Sequence, residues 1–143
     1  MNVYDVMTRD PVIIHANASI AIALRKMEEI GCHHLPVLSA EKHLIGILSF
    51  GDCQLALGKL LNSKKMPSYP SVGGNISVTS AMTHAPIVIE ADAPAFEAAR
   101  LMLENYIGCL PVMRGETLIG IVTRSDLLVA FMAMSQKLIT IPK

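Results

Sequence analysis

A hydroxyl and a carboxylate recur at the same spacing at two places in the chain. Ser49 precedes Asp52, and Thr123 precedes Asp126, and each pair closes a Gly-Ile-x-[Ser/Thr]-x-x-Asp motif. Where a strand meets a helix, these groups form a variant of the capping box, in which the hydroxyl accepts from an early helix N–H. The carboxylate also has two acceptor oxygens, so it can accept from both hydroxyls of a cis-diol such as a ribose. The two roles are compatible, and the motif alone leaves both open.

The cysteines and histidines do not form an evident metal or catalytic set. Cys32, Cys53 and Cys109 are odd in number and lack Cys-x-x-Cys spacing, which predicts a reducing compartment and buried, apolar roles. Cys32 stands beside His33 and His34, but successive strand residues point to opposite faces, so no metal site is expected there. Neither a phosphate-binding glycine loop nor a recognisable nucleophile–histidine–acid set occurs in the sequence. We therefore expect neither enzymatic activity nor a cofactor.

The composition is apolar and electrically balanced. The 143 residues include 12 basic and 12 acidic side chains, 17% are charged and 52% are hydrophobic. A large nucleic-acid surface requires a clustered basic excess to neutralise phosphates, which this chain lacks. The apolar run 127–134 falls far short of the ~20 residues of a membrane-spanning helix, and residues 1–5 lack the basic start of a signal peptide. We expect a cytoplasmic protein with neither a nucleic-acid nor a membrane partner.

The elements that must position these motifs occur twice, because the chain contains an internal repeat. Both copies contain, in the same order, a Met-Thr-x-x-Pro segment, a Leu-Pro-Val segment and a Leu-Ile-Gly-Ile segment. These segments span 7–11 and 82–86, 35–37 and 110–112, and 44–47 and 118–121. The repeat divides the chain into a first copy at 1–57, a linker at 58–77, a second copy at 78–134 and a tail at 135–143.

Each repeat is predicted to contain a short extended segment, a helix, a two-stranded hairpin and a closing helix. The extended segments open at Pro11 and Pro86, and the first helices follow the capping-type residues Asn17 and Asp92. The predicted hairpin strands are 34–38 and 44–48 in the first repeat, and 109–113 and 118–122 in the second. The closing helices are predicted to begin near Gly51 and near Ser125.

The first helix of each repeat is predicted to bury a stripe of apolar residues at helical spacing. The stripes are Ile20, Leu24, Met27 and Ile30 in the first repeat, and Phe96, Ala99, Met102 and Leu103 in the second. The second half of the linker is a poor host for regular structure because it contains Pro67, Pro70, Gly73 and Gly74. The tail is interpreted as either an additional strand or an interface arm.

Together, and twice in the same order, these motifs resemble the CBS domain family, and their tandem arrangement resembles a CBS pair, or Bateman module. The resemblance covers residues 3–56 and 78–133. It implies an α+β fold in which two β-α-β-β-α repeats pack as a pseudo-twofold pair. It also implies two clefts between the repeats that bind adenosine compounds such as AMP, ADP, ATP or S-adenosylmethionine.

The resemblance also implies which residues form the two ligand sites. In CBS pairs the base commonly lies against the opening strand of one repeat, while the ribose meets the Asp of the other. The first implied site comprises Ser49, Asp52, Thr83, Pro86, Ile87, Val88, His33 and His34. The second implied site comprises Thr123, Asp126, Thr8, Pro11, Val12, Ile13 and Arg124.

The two implied sites differ at the positions before Leu-Pro-Val, which often face the phosphates in this family. These positions are His33 and His34 in the first repeat, and Gly108 and Cys109 in the second. Imidazoles donate hydrogen bonds and gain charge near neutral pH. We therefore expect the first site to prefer a phosphorylated nucleotide, and the second to take a less charged adenosyl compound or to stay empty. Against this, Arg124 and Arg9 are close enough in sequence to reach the second site from neighbouring turns.

By resemblance, the chain is a regulatory or sensor module that binds an adenosine nucleotide and signals by changing conformation or its contacts with an unidentified effector protein. The alternative is a structural homodimerisation module whose ligand clefts are vestigial. The segment 127–134 is apolar around its whole circumference, which a helix exposed on one side cannot be. We therefore expect this segment at the interface of a homodimer.

Overall fold

The computed structural model describes residues 1–62 and 74–140, so Pro67, Pro70 and Gly73 of the predicted linker and the last three residues of the tail lie outside the described residues. The helices of the described segments are α1 (Val3–Val6), α2 (Ile20–Ile30), α3 (Phe50–Asn62), α4 (Val78–Ala81), α5 (Ala95–Asn105) and α6 (Arg124–Thr140). Their strands are β1 (Thr8–Arg9), β2 (Ile14–His15), β3 (His34–Leu38), β4 (Leu44–Ser49), β5 (Thr83–His84), β6 (Ile89–Glu90), β7 (Cys109–Arg114) and β8 (Thr117–Thr123).

The chain forms two compact units, and each contains the opening segment of the other repeat. The Asp126 unit consists of Met1–Pro11 and Ile87–Lys143, and the Asp52 unit consists of Val12–Pro86. The chain therefore passes from one unit to the other after Pro11 and again after Pro86. As a result, α1 and β1 of the first repeat belong with the strands of the second, and α4 and β5 of the second belong with the strands of the first.

Each unit is built on a four-stranded sheet in which equivalent strands take equivalent places. The order is β1-β8-β7-β6 in the Asp126 unit and β5-β4-β3-β2 in the Asp52 unit. The exchanged strands β1 and β5 form one edge and run antiparallel to their neighbours, with Thr8 opposite Ile121 and Thr83 opposite Ile47. At the other edge, β2 and β6 pair in parallel with β3 and β7. The mixed α+β fold of two repeats, predicted from the sequence, is confirmed.

Buried apolar residues hold each exchanged segment in its unit. Val3 of α1 and Val78 of α4 are both 0% exposed, and each belongs to the core of the unit that the other repeat forms. The Val3 N–H donates to the carbonyl of Ala93 at 2.8 Å, and the Val78 N–H donates to the carbonyl of Ala18 at 2.9 Å. Burying a valine side chain contributes about 1.5–3 kcal/mol, so this exchange is a substantial part of each core.

Two glycines allow the exchanged strands to approach the sheet. Gly120 lies on β8 beside β1, and a Cβ at this position would lie 2.7 Å from the carbonyl oxygen of Thr8. Gly46 lies at the equivalent place on β4, where a Cβ would lie 2.9 Å from the carbonyl oxygen of Thr83. Real Cβ atoms do not approach backbone oxygens so closely, so the glycine of the repeated Leu-Ile-Gly-Ile segment is a packing requirement.

The Leu-Pro-Val segment places a buried proline inside a sheet, where its missing N–H would normally break a ladder. The parallel neighbour β2 begins its pairing at Val37, one residue after Pro36, and β6 begins at Val112, one residue after Pro111. Each proline therefore lies where the parallel ladder has not yet started, and it loses no backbone hydrogen bond of that ladder.

The hairpin strands and the starts of the closing helices agree with the prediction to within one residue. The first helices begin later than predicted. The hydroxyl of Ser19, rather than the side chain of Asn17, accepts from an N–H of α2, that of Ile22, at 3.3 Å. Pro94, rather than Asp92, precedes α5. Asn17 and Asp92 instead lie in the turns that connect the short strands to these helices.

The buried face of α5 differs from the predicted stripe. Met102 is buried as predicted, but Phe96 is 73% exposed and Leu103 is 78% exposed. The small residues Ala95 and Ala98 are buried instead, because they allow the helix backbone to approach the sheet closely. The larger apolar residues therefore face away from the core of this unit.

Three other helices also differ from the prediction near their carboxyl ends. In α2, Ile20 and Met27 are buried as predicted and Leu24 is half-buried, but Ile30 at the carboxyl end is 52% exposed. The helix α3 continues through Asn62, so the first residues of the predicted linker are helical. The helix α6 continues through Thr140, so the tail begins as a helix and not as a strand.

Candidate functional site

The motif around Asp126 forms a reciprocal cap at the start of α6. The Thr123 N–H donates to the Oδ2 of Asp126 at 2.9 Å, and the Asp126 N–H donates to the Oγ1 of Thr123 at 3.3 Å. Both side chains are half-buried. The capping role predicted from the spacing is therefore confirmed, and its effect is to fix the orientation of the carboxylate.

A hydroxyl from the exchanged strand β1 also binds this carboxylate. Thr8 of β1 donates from its Oγ1 to the Oδ1 of Asp126 at 3.1 Å and to its Oδ2 at 3.3 Å. Because Thr8 comes from the first repeat, this contact exists only through the exchange of the opening segments. The Asp126 carboxylate thus binds a hydroxyl donor in the way that a diol hydroxyl would bind it, on a carboxylate that the cap already orients. We call Thr8, Thr123 and Asp126 the Asp126 station.

The motif around Asp52 forms the same cap in the other unit. The Ser49 N–H donates to the Oδ2 of Asp52 at 2.9 Å, and the Asp52 N–H donates to the Oγ of Ser49 at 2.9 Å. Thr83 occupies the register position equivalent to that of Thr8. Within the described residues, however, no hydrogen bond joins Thr83 to Asp52. We call Ser49, Asp52 and Thr83 the Asp52 station.

The positions next to each station carry different side chains. In the Asp52 unit the Phe50 N–H donates to the carbonyl of His33 at 2.8 Å, and the two rings meet edge to face with centroids 5.9 Å apart. In the Asp126 unit the Arg124 N–H donates to the carbonyl of Gly108 at 3.1 Å. The guanidinium of Arg9 lies over the Tyr4 ring, 4.1 Å from its centroid.

The residue directly before the proline of each opening segment has a left-handed backbone conformation. Asp10 has a φ of 49° and Ala85 has a φ of 45°. This conformation costs a residue with a Cβ roughly 1–2 kcal/mol, although aspartate tolerates it better than alanine. The strain therefore lies between each station and the point where the chain enters the other unit, a place at which strained backbone is often functional.

A buried thiol accompanies each carboxylate. Burial raises the pKa of Cys53 to about 11, and the negative charge of Asp52 adds to this shift. Burial raises the pKa of Cys109 to about 12, with a further contribution from the charge of Asp126. The predicted buried, apolar role is confirmed for these two cysteines, whereas Cys32 is only half-buried.

The raised thiol pKa values predict a loss of stability at alkaline pH. In the unfolded chain the thiols ionise near their ordinary pKa of 9.0, whereas the folded thiols of Cys53 and Cys109 stay protonated to about 11 and 12. The stabilisation is therefore fully present below pH 9 and is lost as the pH rises through that window. The expected slope is about 1.4 kcal/mol per pH unit for each thiol, measured by urea unfolding between pH 8 and 10.5. A variant with both Cys53→Ala and Cys109→Ala should lose this slope, and an unchanged slope would contradict the explanation.

The order of the motifs, the exchanged sheets and the two caps agree with a single known family. The family model for the CBS domain matches residues 3–59 and 77–133. The chain belongs to the CBS domain family. A CBS domain-containing protein of Dictyostelium discoideum is 32% identical over 127 residues, which cover 88% of this chain and 88% of that protein. The resemblance inferred from the repeated motifs is confirmed.

Two solved CBS structures are similar to this CBS chain over almost its whole length. CBSX2 from Arabidopsis thaliana, solved in complex with AMP, has a TM-score of 0.75 and 29% identity, covering 94% of this chain and 98% of that one. The CBS domain pair of protein MJ0100, solved with 5′-methylthioadenosine and S-adenosyl-L-methionine, has a TM-score of 0.78 and 26% identity. It covers 94% of this chain and 98% of that one.

The CBS repeats distribute the predicted site residues between the two units. The Asp52 unit contains six residues of the first predicted site: Ser49, Asp52, Thr83, Pro86, His33 and His34. The Asp126 unit contains five residues of the second: Thr123, Asp126, Thr8, Pro11 and Arg124. The remaining predicted residues are apolar and lie in the other unit. Val12 and Ile13 of the second predicted site belong to the Asp52 unit, and Ile87 and Val88 of the first belong to the Asp126 unit.

Two contacts beside the stations were not predicted from the sequence: Phe50 binds the backbone of His33, and the carbonyl of Gly108 accepts from Arg124. Alignment of the two CBS repeats places Phe50 opposite Arg124 and His33 opposite Gly108. That alignment was the available signal, since an equivalent backbone hydrogen bond joins Phe50 to His33 in one unit and Arg124 to Gly108 in the other.

A groove of about 510 Å³ lies between α2 and α3, and its lining does not include the hydroxyl and carboxylate residues of the Asp52 station. Its lining is mainly apolar and comprises Leu24, Met27, Glu28, Gly31, Cys32, His33, Phe50, Gln54 and Leu57. Across residues 1–62 and 74–140, no group of three or more His, Cys, Asp or Glu side chains is placed to hold a metal ion. Within the same segments, every helix is too short or too polar to cross a lipid bilayer.

Proposed function

We propose that this CBS pair is a non-catalytic regulatory module that binds adenosine nucleotides and signals their presence through a change of conformation. The observation that carries the proposal is the contact of the Thr8 hydroxyl with both oxygens of Asp126. It places a hydroxyl donor on a carboxylate whose orientation is fixed by the cap of α6, which is the interaction that a ribose diol needs. AMP, ADP, ATP and S-adenosylmethionine share this diol.

Two related structures support the choice of adenosine compounds. CBSX2 was solved with AMP, and the MJ0100 pair was solved with 5′-methylthioadenosine and S-adenosyl-L-methionine. These ligands differ in charge but share the adenosine moiety. We therefore assign the adenosine moiety to the common parts of the site, and the discrimination between ligands to residues that differ between the stations.

We propose that the adenine base lies against the apolar segments that the family resemblance implies. Val12 and Ile13 are half-buried, whereas Ile87 is 39% exposed and Val88 is 42% exposed. Apolar side chains with this exposure offer surface that a flat aromatic base can cover, and burying that surface contributes to affinity.

The signal is proposed to pass through the exchanged strand. A ribose hydroxyl that donates to Asp126 takes acceptor positions that Thr8 now uses. Ligand binding would then change how firmly β1 is bound to the rest of the Asp126 unit. The ladder between β1 and β8 is only two residues long. The strained residue Asp10 follows β1 directly, so a small displacement of the strand is transmitted to the chain crossing after Pro11.

The test is a panel of AMP, ADP, ATP, S-adenosylmethionine and NAD in thermal-shift and calorimetric measurements. A ligand at 100 times its dissociation constant is expected to stabilise the protein by about 2.7 kcal/mol. Asp52→Ala and Asp126→Ala are each expected to remove one class of binding site. Asp92→Ala, at an exposed turn position away from both stations, is the matched control. Absence of any shift in the wild-type protein would instead favour a structural homodimerisation module.

A homodimer is part of the proposal because α6 exposes an apolar face. Large apolar side chains that are 50–68% exposed follow one another along this helix. They are Leu128, Val129, Phe131, Met132 and Met134. An exposed patch of this kind marks an interaction surface, and a second copy of the chain is its proposed occupant, with an effector protein as a further partner of the module.

A further inference from the structure

Equivalent positions of the two repeats carry side chains of different chemistry. Arg124 follows Thr123 in the Asp126 unit, and Phe50 follows Ser49 in the Asp52 unit. Both residues bind the backbone of the residue that precedes the adjacent strand, which is Gly108 for Arg124 and His33 for Phe50. The backbone of the two stations is thus the same, and the difference lies in the side chains.

The guanidinium of Arg124 is held against Gly108. A Cβ built on Gly108 would lie 3.2 Å from the Cζ of Arg124 and 3.4 Å from its Nε and Nη1. Such separations are tighter than most real Cβ contacts, so a Cβ at position 108 would require the guanidinium to shift by a few tenths of an ångström. Glycine at this position therefore makes room for the arginine.

The guanidinium and the carboxylate of this unit lie on opposite sides of the end of β8. The Thr123 N–H donates to Asp126, which also accepts from Thr8 on the neighbouring β1. The next N–H, that of Arg124, donates to the carbonyl of Gly108, which precedes β7. A ribose 5′-phosphate likewise has a diol at one end and an anion at the other.

We infer that Arg124 is a specificity-determining residue, which makes the Asp126 station select phosphorylated adenosine compounds over uncharged ones. This inference rests on the proposed function. A guanidinium is permanently charged and binds phosphate oxygens through paired N–H groups. Phe50 supplies no charge at the corresponding place, so the Asp52 station lacks this means of discrimination. This inference differs from the expectation drawn from the sequence, that the Asp126 site takes the less charged ligand, and the experiment below decides between them.

The inference is tested by calorimetry with AMP and adenosine on proteins that carry Asp52→Ala, so that only the Asp126 station binds. Arg124→Gln is expected to weaken AMP binding about tenfold or more, as for the loss of a charge-assisted hydrogen bond, and to leave adenosine binding within about twofold. Gly108→Ala keeps the arginine and shifts its guanidinium by only a few tenths of an ångström, so it is expected to act in the same direction but much more weakly. Arg124→Lys should retain part of the preference for AMP.

The matched control is Phe50→Leu in a protein that carries Asp126→Ala, where the ratio of AMP affinity to adenosine affinity should stay within about twofold. If Arg124→Gln leaves that ratio unchanged, or weakens both ligands equally, the inference is wrong while the proposed function stands. If neither compound binds to the protein with both aspartates intact, the proposed function fails and the inference fails with it. Circular dichroism of each variant separates a loss of fold from a loss of selectivity.

Discussion

Gly120→Ala is expected to lower the free energy of unfolding by about 3 kcal/mol, near the upper end of the usual range for overpacking. The new Cβ would lie 2.7 Å from the carbonyl oxygen of Thr8 and 2.7 Å from the Sδ of Met7. The Met7 side chain is able to rotate away, but the Thr8 oxygen belongs to the backbone of β1 and moves only if the strand moves. The substitution is therefore expected to detach β1 from β8 and to break the contact between Thr8 and Asp126.

Urea unfolding and a thermal scan measure this effect, with an expected fall in Tm of about 10 °C for a chain of this size. Gly58→Ala is the matched control, because a Cβ there meets nothing within 4 Å and the residue lies inside α3. In a helix, alanine is more favourable than glycine by up to about 1 kcal/mol, so the control should be neutral or stabilised. Equal stability of the two variants would mean that β1 does not require a glycine beside it.

Phe131→Glu is expected to convert the proposed homodimer into a monomer. Leu128, Phe131 and Met132 lie on one face of α6, at the spacing of helix neighbours, and are 62–68% exposed. In a twofold interface each substitution acts twice. If each buried phenylalanine contributes about 2 kcal/mol, the loss of both weakens dimerisation about a thousandfold.

Sedimentation velocity at micromolar concentration distinguishes the two states. Thr117→Glu adds the same charge to an exposed position at the start of β8 and serves as the control, which should remain a dimer. A monomeric wild-type protein at this concentration would refute the dimer and leave the apolar face of α6 to another partner.

The hairpins and caps could be predicted because their signals are local. The apolar residues of the Leu-Pro-Val and Leu-Ile-Gly-Ile segments alternate or cluster as strands do, and the two copies confirm one another. The hydroxyl and carboxylate of each station are three residues apart, which is the spacing of a capping box whatever the rest of the chain does. These features depend on neighbours in sequence, so the sequence contains them.

The exchange of opening segments could not be predicted, because β1 and β5 are two residues long and carry no periodic pattern. Their places are decided by the burial of Val3 and Val78 in cores formed mostly by the other repeat. The buried face of α5 was misassigned for a related reason. A search for apolar stripes favours the large side chain of Phe96, whereas close packing on the sheet selects the small side chain of Ala98.

The exchange also determines the order in which the molecule can be completed during its synthesis. The Asp52 unit is continuous from Val12 to Pro86, but Thr8 must wait for Asp126, which lies 118 positions later. At about 5–20 residues per second, a ribosome needs roughly 6–24 s to cover that distance. The segment 1–11 therefore emerges well before the strands that bury it, and its apolar residues stay uncovered by their own unit until β6, β7 and β8 have been synthesised.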